Sequence, residues 1–254
     1  MSALTYTERF VNLELKIKTQ TPRLCLALDG VNKKDLFDIW IPKLNRKNLV
    51  IKLGLGALPD YSRSDIEDLT KKFDIFVDAK LHDIPSQVQA AVAKWRDVGV
   101  SYLTVHLSGG AKMLDLAQKE TQNSDIKILG VSVLTSLNPQ DLRQSWGYDG
   151  PISERVSELV KMGSDQGLTG FVSSAEELTD LKKKFPEKEI FWVNPGIHWP
   201  GETPSSDQKR SVDFKSALNR GSKMLVMGRT LMGAPDPVER IDQVLDWIKN
   251  NHAK

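Results

Sequence analysis

The sequence predicts a single (β/α)8 barrel, a TIM barrel, formed by residues 1–254 as one domain. Three observations predict this fold. Short runs rich in Val, Ile and Leu alternate with amphipathic stretches, and no change in composition marks a linker. The apolar runs lack polar alternation, which is typical of parallel strands covered by helices on both faces. Eight such units in a chain of this length favour a closed barrel.

The predicted elements alternate along the chain. The eight strands are predicted at 23–28, 49–53, 75–80, 102–106, 126–133, 170–173, 190–193 and 224–227. Helical patterns cover 85–97, 111–120, 152–166, 175–185, 213–219 and 237–249. Residues 1–20 are predicted to form a short helix outside the barrel. A doubly wound open sheet is the structural alternative, but the first strand is followed by no G-x-G-x-x-G motif, which disfavours a dinucleotide-binding fold.

Composition argues against several classes of function. The chain carries 35 Lys and Arg against 33 Asp and Glu, and this near neutrality argues against a nucleic-acid or membrane-surface partner. It has no stretch of 18 apolar residues and no signal-peptide pattern. Its one cysteine, Cys25, lies in an apolar run, which indicates a packed thiol in a reducing compartment. We therefore expect a cytoplasmic protein.

The most informative segment is FVDAKLHDIPSQV, residues 76–88. Asp78 and Lys80 are two residues apart, so a strand sends both side chains to one face, ~7 Å apart along the chain. Opposite charges on an apolar strand are costly to bury unless they are paired or used. A buried ion pair at the strand end is one interpretation. The longer pattern D-x-K-x-x-D-I-P, which includes Asp83, is much rarer than an isolated D-x-K pair.

Polar residues at the carboxyl ends of barrel strands meet at one mouth, where active sites of this fold lie. Lys52 lies within the second strand, in VIKLGLG. We predict that Lys52, Asp78, Lys80 and Asp83 share one pocket, in which opposite charges keep each other ionised; a surface lysine is the alternative for Lys52. The other polar residues at or just beyond strand ends are Asp29, His106, Thr135, Ser136 and Arg229. For His106, a structural role is favoured over a catalytic one.

The last predicted strand indicates a phosphate site. It ends in Gly228 and Arg229, and phosphate sites of this fold commonly use the loops after strands seven and eight. A glycine lets backbone N–H groups approach a ligand, and a guanidinium binds phosphate bidentately. The preceding loop, 194–210, has the composition of a lid, a surface insertion being the alternative. We expect Gln208, Lys209 and Arg210 to be able to swing toward Arg229.

The remaining histidines predict no metal site. His82, His198 and His252 share no ligand spacing with a second histidine or with the cysteine.

With these residues in place, the chain resembles the orotidine 5′-phosphate decarboxylase family from about residue 23 to residue 248. The matching segments are LALD at 26–29, IKLG at 51–54, FVDAKLHDIP at 76–85, HLSGG at 106–110, VSVLTS at 131–136, NPGI at 194–197, DQKR at 207–210 and VMGR at 226–229. The resemblance implies a homodimeric TIM barrel without metal or organic cofactor. The implied reaction converts orotidine 5′-monophosphate to uridine 5′-monophosphate, the last step of de novo pyrimidine nucleotide synthesis.

The resemblance also implies roles for individual residues. Lys80 would deliver a proton to C6 of the pyrimidine, and Asp78 would lie against the substrate carboxylate. Lys52 would contact the ribose and orient Asp78. Asp83 would reach across a two-fold interface into the partner's pocket. Substrate contacts are implied for the ribose at Asp29, for the base at Thr135 and Ser136, and for the phosphate at Gln208, Gly228 and Arg229.

Two positions depart from the bacterial pattern of that family. Ser86 and Gln87 stand where the family usually has Asn-Thr, and His198 stands where the lid usually has arginine. A neutral histidine binds phosphate less strongly than a guanidinium. We keep Gln87 and His198 among the expected substrate-binding residues and interpret both changes as tuning of binding.

Two alternatives stay open. One is a magnesium-dependent sugar-phosphate decarboxylase or synthase of the same suprafamily, which would need an acidic metal ligand on strand two, where Lys52 lies. The other is a catalytically silent phosphate-binding pseudoenzyme.

Overall fold

Eight parallel strands close into a barrel in the computed structural model, which describes residues 21–44, 49–202 and 210–252. The strands are β1 Arg23–Ala27, β2 Leu49–Gly54, β3 Asp74–Leu81, β4 Tyr102–His106, β5 Lys127–Val131, β6 Gly170–Val172, β7 Phe191–Asn194, β8 Ile197–His198, β9 Val212–Asp213 and β10 Met224–Met227. The barrel order is β1, β10, β7, β6, β5, β4, β3, β2, and β8 pairs separately with β9. The predicted TIM barrel is confirmed.

Helices follow most of the barrel strands. They are α1 Lys33–Asp35, α2 Ile41–Lys43, α3 Arg63–Thr70, α4 Pro85–Val98, α5 Ala111–Lys119, α6 Pro139–Trp146, α7 Ile152–Asp165, α8 Leu178–Lys184, α9 Phe214–Arg220, α10 Arg229–Met232 and α11 Pro237–His252. All eight predicted strands occur, with ends shifted by at most two residues. The β8–β9 pair was not predicted. The helix predicted in residues 1–20 lies outside the described residues, and a single domain over the whole chain stays a prediction.

Alternate strand residues face the barrel interior, because side chains of a strand point to opposite faces in turn. The interior apolar cluster contains Cys25, Val50, Phe76, Tyr102, Leu129, Phe191, Val193, Met224 and Val226. The same alternation continues toward the carboxyl ends, so that Lys52 follows Val50 and Asp78 follows Phe76 on the inner face. A dry apolar layer therefore underlies the polar mouth of the barrel.

Two further facts concern the cysteine and the helices of the described residues. Cys25 is fully buried, and burial raises the pKa of its thiol, as expected for a packed cysteine. None of the helices in the described ranges has the length and apolar character that crossing a bilayer requires.

Candidate active site

A cavity of about 950 Å³ opens at the carboxyl ends of the barrel strands. Nine of the predicted site residues line it: Asp29, Lys52, Asp78, Lys80, Thr135, Ser136, His198, Gly228 and Arg229. Asp83 and Gln87 do not line it and are exposed. Asp83 therefore does not join Lys52, Asp78 and Lys80 in the cavity of its own chain, because it lies beyond the end of β3. Its expected place in a partner's pocket stays a prediction. Gln208 lies outside the described residues.

Acids and amines alternate along one wall of this cavity. Lys52 Nζ lies 2.7 Å from Asp29 Oδ2 and 3.5 Å from Asp78 Oδ2. Lys80 Nζ donates to the same Asp78 oxygen at 2.8 Å. The Lys52 side chain is only 8% exposed, so it is not a surface lysine. We call Asp29, Lys52, Asp78 and Lys80 the charged row.

The charged row keeps Lys52 and Asp78 ionised. Burial by itself would lower the pKa of Lys52, but Asp78 and Asp29 outweigh it and the pKa is raised. Burial opposes ionisation of Asp78 as well, yet Lys80 and Lys52 hold its pKa below the usual value. Both groups are therefore charged at neutral pH.

An irregular backbone brings Lys80 to this position. The register between β3 and β4 shifts between Val77 and Leu81. Lys80 has a φ of +47°, in the left-handed region that side chains other than glycine rarely adopt. Such a conformation costs on the order of 1–3 kcal/mol and persists only where its surroundings hold it. Strain of this kind is concentrated at functional sites.

Thr104, on β4, was not predicted as a site residue. Its Oγ1 lies 2.9 Å from the backbone nitrogen of Lys80 and 3.0 Å from Asp78 Oδ1. The signal was present in the sequence, because Thr104 is the one polar residue inside the apolar run before His106 and shares its strand face.

Asp29 is fixed by the end of β2. The backbone N–H of Gly54 donates to Asp29 Oδ1 at 2.7 Å. A Cβ at Gly54 would clash with the Asp29 carboxylate, so this approach requires glycine.

Arg210 lies against the loop that follows β5. Its guanidinium donates to the carbonyls of Val133 at 3.1 Å and Leu134 at 2.9 Å, and it forms an ion pair with Glu177. Arg210 is held there because Glu177, only 7% exposed, needs a partner. That Arg210 is able to swing toward Arg229 stays a prediction. Through these contacts Arg210 stabilises the loop that carries Thr135 and Ser136.

Replacing Arg210 with methionine should lower the free energy of unfolding by about 3–5 kcal/mol, because Glu177 then remains buried without a partner. The double variant Arg210→Met/Glu177→Leu should recover part of this loss. Arg63→Met is the matched control: its partner Glu67 is exposed, so the expected change is below about 1 kcal/mol. Urea unfolding measures all three, and equal midpoints for Arg210→Met and Arg63→Met would contradict the prediction.

The rim of the cavity next to β1 is formed by β8, β10 and the start of α10. A Cβ at Gly228 would lie 3.0 Å from the carbonyl oxygen of Ala27, so a larger residue here would require the neighbouring backbone to shift. His198 lies on β8, with Nδ1 3.0 Å from the carbonyl oxygen of Trp199. Glu202 and Thr230 also line the cavity and were not predicted.

The described part of the loop after β7 is anchored to this rim. The backbone N–H of Trp199 donates to Thr230 Oγ1 at 3.0 Å, and the Arg240 guanidinium lies 4.8 Å from the centre of the Trp199 ring. Glu202 accepts hydrogen bonds from Thr230 and Arg240. This segment therefore connects the cavity rim to α11.

His106 does not line the cavity. Its ring lies 5.5 Å from that of His82. Burial, His82 and Lys80 together lower the pKa of His106 to about 4, so it is neutral at physiological pH. These contacts fit the structural role favoured from the sequence. Within the described ranges, no three His, Cys, Asp or Glu side chains are grouped so that they could hold a metal ion.

A TIM barrel with an aspartate–lysine row at its carboxyl mouth has the architecture of a barrel enzyme, whose active site lies at that end. The chain belongs to the orotidine 5′-phosphate decarboxylase / HUMPS family, whose model matches residues 22–244.

Named relatives support this assignment. The orotidine 5′-phosphate decarboxylase of Psychromonas ingrahamii is 35% identical over 231 residues, which cover 89% of this chain and 97% of the relative. That of Ehrlichia chaffeensis is 34% identical over 197 residues, 77% of this chain and 84% of the relative. The crystal structure of orotidine 5′-phosphate decarboxylase from Lactobacillus acidophilus aligns with a TM-score of 0.77 at 28% identity, covering 90% of this chain and 99% of that one.

Proposed function

We propose that this protein converts orotidine 5′-monophosphate to uridine 5′-monophosphate without metal or organic cofactor, as the last step of de novo pyrimidine nucleotide synthesis. The observation that carries the proposal is the charged row, in which the Lys80 ammonium is held at 2.8 Å from Asp78 within the cavity wall. Family membership supports it. The buried thiol of Cys25 fits the cytoplasm as its compartment.

The reaction needs a cation close to C6. Loss of carbon dioxide leaves a carbanion at C6 that no conventional electron sink stabilises. An ammonium held in a water-poor site stabilises this charge as it develops and then transfers a proton to the carbon. Lys80 takes both roles, and Asp78 and Lys52 fix its position and charge.

The magnitudes identify the dominant effect. Repulsion between Asp78 and a substrate carboxylate at ~4 Å amounts to about 4 kcal/mol at an effective dielectric constant of 20. Very slow reactions require barrier reductions on the order of 20 kcal/mol. Ground-state repulsion is therefore too small by itself, and stabilisation of the carbanion must contribute most.

The cavity suits a nucleotide. The ribose contacts Asp29 and Lys52, and the base contacts Thr135 and Ser136. The phosphate is bound by Gly228, Arg229 and His198, together with Gln208. Binding energy from the phosphate, which is remote from C6, orders the charged pocket for the reaction.

We further propose a homodimer in which Asp83 completes the partner's charged row. Asp83 follows β3, and its Oδ1 accepts from the backbone N–H of Ile84 at 2.6 Å. Ile84 and Leu55, on the loops after neighbouring strands β3 and β2, are 61% and 63% exposed. Large apolar side chains beside an exposed carboxylate fit a surface that a second copy covers. Gln87, exposed at the start of α4, would join that interface.

A spectrophotometric assay with orotidine 5′-monophosphate, with and without a chelator, tests the proposed reaction. Turnover that is insensitive to the chelator supports it. Turnover that the chelator abolishes would instead point to magnesium-dependent chemistry, the alternative left open by the sequence. No turnover, with uridine 5′-monophosphate still bound, would indicate the pseudoenzyme.

Replacing Arg229 with alanine should lower kcat/KM for orotidine 5′-monophosphate about 10- to 100-fold, because a charged hydrogen bond to phosphate contributes about 1.5–3 kcal/mol. Toward orotidine, which lacks the phosphate, the same variant should resemble the wild type. Arg63→Ala, which removes an exposed arginine on α3, is the control. Equal losses on both substrates would contradict the phosphate assignment.

A further inference from the structure

We propose that Thr104 is a positioning residue for decarboxylation, whose hydroxyl holds the strained backbone of Lys80 and the carboxylate of Asp78 in one fixed arrangement. This inference rests on the proposed function and adds a residue to it.

The direction of each hydrogen bond follows from the chemistry of its partners. The backbone N–H of Lys80 can only donate, so Thr104 Oγ1 accepts it at 2.9 Å. An ionised carboxylate can only accept, so the Thr104 hydroxyl proton points to Asp78 Oδ1 at 3.0 Å. A hydroxyl with one donor and two lone pairs satisfies both partners at once. No apolar side chain can do this.

The two contacts act on the same ammonium. Lys80 departs from the regular register of β3 and adopts a φ of +47°, so its backbone needs an external hydrogen bond to remain there. Asp78 uses its other oxygen, Oδ2, for Lys80 Nζ and Lys52 Nζ, at 2.8 and 3.5 Å. Thr104 thus fixes both the start of the Lys80 side chain and the carboxylate that holds its end.

The surroundings of Thr104 indicate that this arrangement is rigid. Its side chain is fully buried, so no water competes for the hydroxyl. The titratable groups that face Asp78 are Lys80 on its own strand, Lys52 on β2 and, more distantly, the thiol of Cys25 on β1 and the neutral His106 on β4. The Thr104 hydroxyl is the neutral donor among these contacts, and it helps to keep the Asp78 pKa low.

The test compares Thr104→Val, which keeps the shape and removes the hydroxyl, with Thr104→Ser, which keeps the hydroxyl. Thr104→Val should lower kcat for orotidine 5′-monophosphate about 10- to 100-fold and leave KM within about threefold, because a misplaced reacting group lowers the rate more than binding. The acid limb of the plot of kcat against pH should move to higher pH. The pKa of Asp78 rises because its carboxylate has lost a hydrogen-bond donor. Thr104→Ser should restore both values to near those of the wild type.

Ser222→Ala is the matched control. It removes another buried hydroxyl, which donates to the carbonyl of Met224 at the opposite end of the barrel. Its kcat and pH profile should equal those of the wild type. Urea unfolding of every variant reports any loss of stability separately.

Wild-type kcat and an unmoved acid limb in Thr104→Val would overturn the inference, as would a Thr104→Ser variant as impaired as Thr104→Val. If Thr104→Val does not fold, Thr104→Cys replaces it with the same expected results, since a thiol of similar size is a weak donor and acceptor. An inactive wild-type enzyme would instead contradict the proposed function.

Discussion

Lys80→Ala is expected to abolish decarboxylation while uridine 5′-monophosphate still binds. The variant loses the ammonium next to the developing carbanion. At a separation of ~4 Å and an effective dielectric constant of 20, the attraction between these two charges is about 4 kcal/mol, or a thousandfold in rate. It also loses the proton donor, which contributes a further 10²- to 10⁴-fold in typical enzymes. Together these losses lower kcat by about 10⁵-fold or more. A single-turnover assay with excess enzyme measures the residual rate.

The choice of binding probe separates chemistry from affinity. Without Lys80, the charge of Asp78 is less compensated and repels a ligand carboxylate more strongly. Uridine 5′-monophosphate has no such carboxylate, so its affinity should change little in this variant. Lys71→Ala, which removes an exposed lysine paired with Asp68 on the surface, is the charge-matched control and should retain full activity. Turnover by Lys80→Ala within tenfold of the wild type would remove Lys80 from the proposed role.

The fold was predictable because its signals are local. The run from Leu49 to Gly54 is buried at every residue, and the sequence there lacks polar alternation apart from Lys52. That exception is informative, since an inner-facing lysine in a buried strand needs acids around it, and Asp29 and Asp78 supply them. Strand order and the carboxyl-end mouth then follow from the barrel itself.

The irregular parts of the site could not be predicted in this way. Strand periodicity places Asp78 and Lys80 on one face, but it does not indicate the register shift that gives Lys80 its positive φ. The buried pair of Arg210 and Glu177 joins residues 33 positions apart in sequence, and no local pattern connects them. Thr104 differs from these, because its place as a polar residue on a buried strand was visible in the sequence, but its contacts with Lys80 and Asp78 depend on the neighbouring strand.

Asp83 poses a different question, because its predicted partners belong to another copy of the chain. In its own chain it is exposed and lies outside the cavity. If Asp83 completes the partner's site, Asp83→Ala and Lys80→Ala should each be inactive as pure dimers, yet active as a mixed dimer. In the mixed dimer, the subunit that retains Lys80 receives a wild-type Asp83, and the other subunit carries both defects.

Co-expression with two different tags allows the mixed dimer to be purified, and its kcat per dimer should be about half that of the wild type, since one of two symmetric sites is intact. If Asp83 acts within its own chain, both subunits of the mixed dimer carry one defect and activity does not return. The control pairs Lys80→Ala with Lys52→Ala, because these two lysines contact Asp78 of the same chain. This mixed dimer should stay inactive, since neither subunit holds a complete charged row. Activity of the mixed dimer of Asp83→Ala with Lys80→Ala, together with inactivity of the mixed dimer of Lys52→Ala with Lys80→Ala, would assign Asp83 to the partner's site.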